Sequence, residues 1–131
     1  MPKHYPKARE VLGCDFRGLI KPEMYKRRPV VILSYSRARP GLAVVVPLST
    51  TNPRPPRPWH HLLSQASQWD RQLRWAKCDM IYALSLKRLF SWRIGRDASG
   101  AQLLLQDFRI AEDDFTAVQD GVLAALKIAR P

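Results

Sequence analysis

Cysteine is scarce in this 131-residue chain: Cys14 and Cys78 are the only two, and each is embedded in an apolar stretch. That excludes a disulfide-stapled secreted scaffold and points to a reduced, cytoplasmic protein. Histidine is nearly as scarce, with His4, His60 and His61. The adjacent pair would point to opposite faces of a strand, the carboxylates are scattered, and no zinc or paired-magnesium spacing appears, so no metal and no cofactor are expected. Long apolar runs are absent too. The longest, "GLAVVVPL", is too short to span a bilayer, and the opening "MPKHYPKARE" has no apolar stretch behind it, so neither export nor membrane insertion is indicated.

Acidic residues are in short supply, 11 Asp and Glu against 22 Lys and Arg, which leaves a formal net charge of +11. The imbalance is concentrated in residues 1 to 60, with 12 basic against 3 acidic residues, while residues 61 to 131 hold 10 against 8. A polyanion such as nucleic acid is the partner such a surface favours, because clustered cations gain from displacing phosphate counterions. The length fits one domain, residues 1–131, with residues 1–10 read as a flexible N-terminal extension.

What is present in quantity is β-branched sequence. "VLGCDF" (residues 11 to 16) is a first strand, followed by a polar, proline-marked loop, "RGLIKPEMYKRRP". Val31 to Ser36 and Leu42 to Ser49 form a hairpin around "RARPG". Four prolines in "TTNPRPPRP" exclude a helix or central strand at residues 50 to 58. The segment reads as a constrained surface loop whose Arg54 and Arg57 can reach phosphate, and "WHHLL" is the return strand. "WHH" at 59 to 61 can stack on bases, with Trp59 equally placed to cap the core.

A further strand is expected over Leu73 to Tyr82, then a turn or single helical turn at "SLKRL" and a strand-like run "LLLQDFRI". The last segment changes period. Phe115, Val118, Val122 and Leu126 recur at helical spacing, acidic residues crowd the start, and Lys127 and Arg130 lie near the end, which predicts an amphipathic helix tolerating Gly121 at some cost. The fold expected is mainly β with a C-terminal helix, either a small barrel of strongly bent strands or an open α+β sheet.

"WAKCDMIY", residues 75 to 82, puts a lysine, a cysteine and an aspartate side by side. On an extended strand Cys78 shares a face with Ala76 and Met80, a core setting in which a thiol serves as a small hydrophobe. Lys77 and Asp79 share the other face, within reach of one phosphodiester: the lysine to hold charge, the carboxylate to accept a proton. The same spacing also describes an ordinary surface ion pair.

"KPEMYKRRPVVILS" at 21 to 34, "VVVPLSTT" at 44 to 51, "AKCDMIY" at 76 to 82 and a final helix, in this order, resemble the MazF/PemK family of toxin endoribonucleases from type II toxin-antitoxin systems. The resemblance implies an SH3-like barrel, a homodimer, and metal-independent cleavage of single-stranded RNA in which the ribose 2′-hydroxyl attacks its neighbouring phosphate. It also implies a cognate antitoxin protein as partner, and toxin-antitoxin complexes that bind DNA. Carried over by position, Arg28, Ser49, Lys77 and Asp79 are the catalytic candidates. Asp79 takes the general base, Arg28 and Lys77 stabilise the phosphorane, and Ser49 with Thr50 positions a phosphate oxygen. Glu23 either orients Arg28 or binds a base edge, and Lys26, Arg27, Arg54, Arg57 and Trp59 complete the substrate-binding set.

Two departures stand out. Pro22 occupies the place where some members carry a loop histidine, and Lys77 replaces an arginine, which keeps the charge but loses the planar fork that grips phosphate. A catalytically silent nucleic-acid-binding barrel and a protein-interaction barrel are the alternatives. Both predict no RNA cleavage.

Overall fold

In the computed structural model, which describes residues 5–65 and 70–129, nine strands precede one helix. They are β1 (Val11–Asp15), β2 (Arg27–Tyr35), β3 (Leu42–Ser49), β4 (His60–Leu62), β5 (Trp75–Lys77), β6 (Tyr82–Ser85), β7 (Leu89–Phe90), β8 (Arg93–Arg96) and β9 (Gln102–Leu104). A 3-10 turn, Leu86–Arg88, joins β6 to β7, and α1 spans Glu112–Leu126. His4, Arg130 and the first four residues of the expected N-terminal extension lie outside the described residues.

The valine-rich runs pair as their sequence suggests. β2 and β3 form an antiparallel hairpin with Val31 opposite Val46, and β1 lies against the other edge of β2 with Val11 opposite Val31. Both faces of these central strands are buried, so their side chains alternate between two cores. Val11, Val31, Val46, Leu48, Ala76 and Cys78 pack under Val118 and Val122 of α1. Leu12, Cys14, Val30, Ile32, Ala43 and Val45 build the second core with Phe16, Leu86 and Leu89.

The expected barrel does not form. The main sheet runs β4-β5-β3-β2-β1-β7, with β6 also on β3, and its outer strands β4 and β7 are not paired with each other. The sheet is therefore open, and mainly β with one C-terminal helix is the description that holds. Its end strands are short, three residues in β4 and two in β7, too little ladder to bring the edges together. Instead α1 packs against β4, and β8 and β9 pair apart from the main sheet as a separate hairpin.

The strand expected over Leu73 to Tyr82 is interrupted. Leu48 of β3 lies opposite Ala76, yet Val45 lies opposite Tyr82, so three residues of β3 are matched by six on the neighbouring segment. The surplus is taken up by a turn at residues 78–81, closed by the Met80 N–H donating to the Lys77 carbonyl at 2.9 Å. Likewise only Leu103 and Leu104 of "LLLQDFRI" belong to a strand, at the end of β9, because the following residues turn towards the isolated bridge between Glu10 and Arg109.

The helix starts with no side-chain cap at Ala111. Glu112, Asp113 and Asp114 in the first turn meet its positive end instead. Lys127 closes it in the left-handed conformation, its N–H reaching the Ala124 carbonyl, and Leu126 is exposed rather than part of the apolar face. Gly121 is required by contact: a Cβ there would stand 2.8 Å from Cys78 Sγ and 3.0 Å from Cys78 Cβ.

Candidate functional site

Strand register decides which polar residues share a surface. Ser49 pairs with Trp75, Leu48 with Ala76, His60 with Lys77, and His61 with Ala76. Val30 pairs with Pro47, so continuing that ladder by two residues brings Arg28 level with Ser49. Because Leu48 and Ala76 belong to the core beneath α1, the alternation turns Arg28, Ser49, Trp75, Lys77 and His60 to the opposite face. Four positions from four separate strands, Arg28, Ser49, His60 and Lys77, thereby converge on one side of the sheet, where it is not covered by the helix.

Asp79 lies near this surface, close enough for its charge to act on His60. The turn after β5 buries Cys78 completely and leaves Asp79 exposed. Lys77 and Asp79 make no ion pair with each other, and neither has another ion-pair partner among the described residues. Arg28 is half-buried, and its Nε is buried without a hydrogen-bond partner. Leaving a buried donor unpaired costs about 1 to 3 kcal/mol, and an anion approaching the guanidinium offsets that cost.

Ser49 is held at the end of β3, where its Oγ accepts the Thr51 N–H at 3.1 Å and its own hydroxyl hydrogen stays available to donate. Thr50 beside it is exposed. Trp75 Nε1 donates to Asn52 Oδ1 at 2.9 Å, tying the loop after Ser49 to β5.

The remaining expected binding residues are dispersed. Glu23 folds onto its own exposed loop, its Oε1 accepting the Ile20 N–H at 3.0 Å. Lys26 lies over the Tyr25 ring at 5.5 Å from its centre. Arg27, on the opposite side of β2 from Arg28, approaches Asp15 at 3.8 Å and covers the Phe90 ring at 4.6 Å. It lines a groove of about 890 Å³ between β7 and the β8–β9 hairpin. Arg54 and Arg57 are exposed on the proline loop, and Trp59 packs half-buried against the core under α1.

Cys78 behaves as core. Burial first, and the neighbouring Asp79 charge second, push its thiol up to about 12, and Cys14 is raised to about 12 chiefly by burial as well. Neither thiol is a nucleophile near neutrality.

Two features were not legible from the residues alone. His60 belongs to the candidate surface: its ring Nδ1 accepts the Arg57 backbone N–H at 3.0 Å while its backbone N–H donates to the Arg57 carbonyl at 2.9 Å. Burial, then the Lys77 charge, lowers its pKa below the ordinary value, with Asp79 acting in the opposite sense, so the ring is neutral at pH 7. His61, on the other face, bonds Asp114 of α1 at 2.8 Å through Nε2, and Ser64 Oγ donates to the same carboxylate at 2.7 Å. Strand alternation separates the two histidines, but the partners come from distant sequence that no local signal identifies.

Comparison with known proteins bears on the family and the fold. A sequence model of the PemK-like, MazF-like toxins of type II toxin-antitoxin systems matches residues 7–123. An uncharacterized protein of Escherichia coli K12, YifN, is 33% identical over 64% of this chain and 71% of its own length. An uncharacterized protein of Haemophilus influenzae is 32% identical over 67% and 71%. Among solved structures, MazF from Deinococcus radiodurans superposes with a TM-score of 0.67 at 17% identity, covering 96% of this chain and all 100% of that one. A mycobacterial endoribonuclease in complex with its cognate antitoxin gives 0.65 at 19% identity, covering 97% and 100%. At such identities the structural likeness speaks for the fold.

Proposed function

Since the chain belongs to the PemK-like, MazF-like toxins of type II toxin-antitoxin systems, we propose that it is an endoribonuclease cutting single-stranded RNA without metal, and that a cognate antitoxin neutralises it. The observation that carries this reading is one sheet face shared by Arg28, Ser49 and Lys77, beside an exposed Asp79, with neither cation paired to a carboxylate among the described residues. A charge set that is not paired internally is available to a phosphodiester.

In this mechanism Asp79 accepts the proton of a ribose 2′-hydroxyl as its oxygen bonds to phosphorus. The bond from phosphorus to the 5′-oxygen then breaks, and the products are a 2′,3′-cyclic phosphate and a 5′-hydroxyl end. Arg28 and Lys77 balance the charge that accumulates on the phosphorane, and Ser49 donates its hydroxyl hydrogen to a non-bridging oxygen. Water polarised by Arg28 or Lys77 passes a proton to the leaving oxygen and regains one from the newly protonated Asp79, so the proton transfer closes on itself. Thr50, Glu23, Lys26, Arg54 and Arg57, all exposed, contact the flanking RNA, with base selection made by the loops that carry them, whereas Arg27 and Trp59 lie on the other side of the sheet and take no part. The net charge of +11 strengthens capture of any RNA and makes binding salt-sensitive. The proposed working state is a homodimer.

The test is incubation of the purified protein with varied single-stranded RNAs in chelator, with the cut ends mapped. The expected products carry 2′,3′-cyclic phosphate and 5′-hydroxyl ends, and a 2′-deoxy substitution at the scissile nucleotide blocks the cut. Salt-sensitive binding with every RNA left intact would instead establish a silent binding protein.

A further inference from the structure

We propose that His60 is a catalytic residue of this site, presenting a neutral Nε2–H donor to the reacting phosphate beside Lys77. The inference rests on the RNA-cleaving reading above and adds a residue to it. His60 stands directly opposite Lys77 in the β4–β5 ladder, on the face that carries Arg28 and Ser49. The Arg57 N–H donates to its Nδ1 at 3.0 Å, and this single contact settles the tautomer: the Nδ1 lone pair is occupied, so the ring hydrogen resides on Nε2. The Arg57 carbonyl, accepting the His60 N–H at 2.9 Å, fixes the backbone of the same turn and with it the ring's position.

That bond also decides what the ring does in the reaction. A proton added to Nδ1 would face the Arg57 N–H, so the imidazolium form is opposed by geometry. The charged groups around the ring are Lys77 and Arg57, which oppose a positive charge, and Asp79, which favours one, and burial opposes it further. His61 points away to Asp114 and takes no part. His60 is therefore not a proton shuttle. It leaves Asp79 as the base and does not repel Lys77, while giving the phosphorane a hydrogen bond that needs no reorganisation as charge develops. Removing one such preorganised donor from an enzyme site typically lowers kcat by about 10² to 10³.

The experiment compares His60→Ala and His60→Gln with the parent, reading kcat and KM separately, the rate from pH 5 to 9 and the unfolding midpoint. Expected are a kcat loss of at least about tenfold in His60→Ala with KM nearly unchanged, substantial recovery in His60→Gln, whose amide retains an N–H donor, and a pH profile of unchanged shape. If the alanine unsettles the turn at Arg57, His60→Phe keeps the ring volume without the donor and carries the same expectation. An unchanged kcat in the folded alanine or phenylalanine variant overturns the role, as does loss of one limb of the pH profile or no recovery in a folded glutamine variant. Should the parent cleave no RNA at all, the functional reading falls and this role with it. A cleaving parent with an indifferent His60 removes this role alone.

Discussion

His60 and His61 are neighbours in sequence and belong to opposite halves of the molecule. His61 looks towards the helix, where Asp114, only 5% exposed, receives its Nε2 together with the Ser64 N–H and hydroxyl. Every strong partner in that cluster is satisfied within the protein, and the cluster fastens α1 to the loop end of β4. His60 looks towards Lys77 and Asp79, whose charges have no ion-pair partner among the described residues, and shares its face with Arg28, whose Nε is unbonded. A buried polar network that is closed on itself stabilises and specifies a structure. The charges without partners among the described residues, on the other face of the same sheet, are those the proposed chemistry uses. One strand, three residues long, thus separates the structural polar cluster from the proposed chemical one.

This contrast is most severely strained by Asp79→Asn. The carboxylate is exposed and unpaired, so the fold should be untouched while the cleavage rate falls by about 10² to 10⁴, as measured on a single-stranded RNA oligonucleotide. On the helix side, Asp114→Asn should do the reverse. It weakens a charge-assisted network at a cost of about 1 to 3 kcal/mol in denaturant unfolding, with the rate per folded molecule preserved.

The same residue carries a pH signature. Burial raises the Asp114 pKa, but the hydrogen bonds from His61 and Ser64 outweigh it and hold the carboxyl below its ordinary value. Its contribution to stability is therefore complete above the unfolded carboxylate value of about 3.9, and is lost as pH falls through the lower folded one. Unfolding curves collected across that acid range should show this slope in the parent and lack it in Asp114→Asn.

The smallest effect is expected at Gly121. Alanine would gain up to about 1 kcal/mol of helix propensity but would press on Cys78 at 2.8 Å, and overpacking of this kind costs about 1 to 3 kcal/mol. A net loss of roughly 0.5 to 2 kcal/mol is expected in Gly121→Ala, relieved when Cys78→Ala is added, as read from unfolding midpoints.

Local sequence carried the elements whose signals are local. The β2–β3 hairpin follows from two β-branched runs around a Pro-Gly turn, α1 follows from helical spacing with acid at its start, and burial of Cys78 follows from its apolar neighbours. What the residues did not convey depends on register between distant strands. The split of residues 73 to 82 arises because β3 pairs with two segments whose registers differ, and β-propensity within those residues carries no trace of it. Barrel closure failed for the same reason, since the lengths of β4 and β7 and their places at opposite edges are properties of the assembled sheet. The pairing of Lys77 and Asp79 was anticipated on one straight strand. In the structure a turn begins after Lys77 and leaves Asp79 exposed.

The most direct test measures RNA cleavage rate and unfolding free energy side by side in Asp79→Asn and Asp114→Asn. The two faces are predicted to separate: Asp79→Asn retains parental stability and loses at least about 10² in rate, while Asp114→Asn loses stability and keeps its rate per folded molecule. Full cleavage by a folded Asp79→Asn protein would contradict the assignment of chemistry to the face opposite the helix.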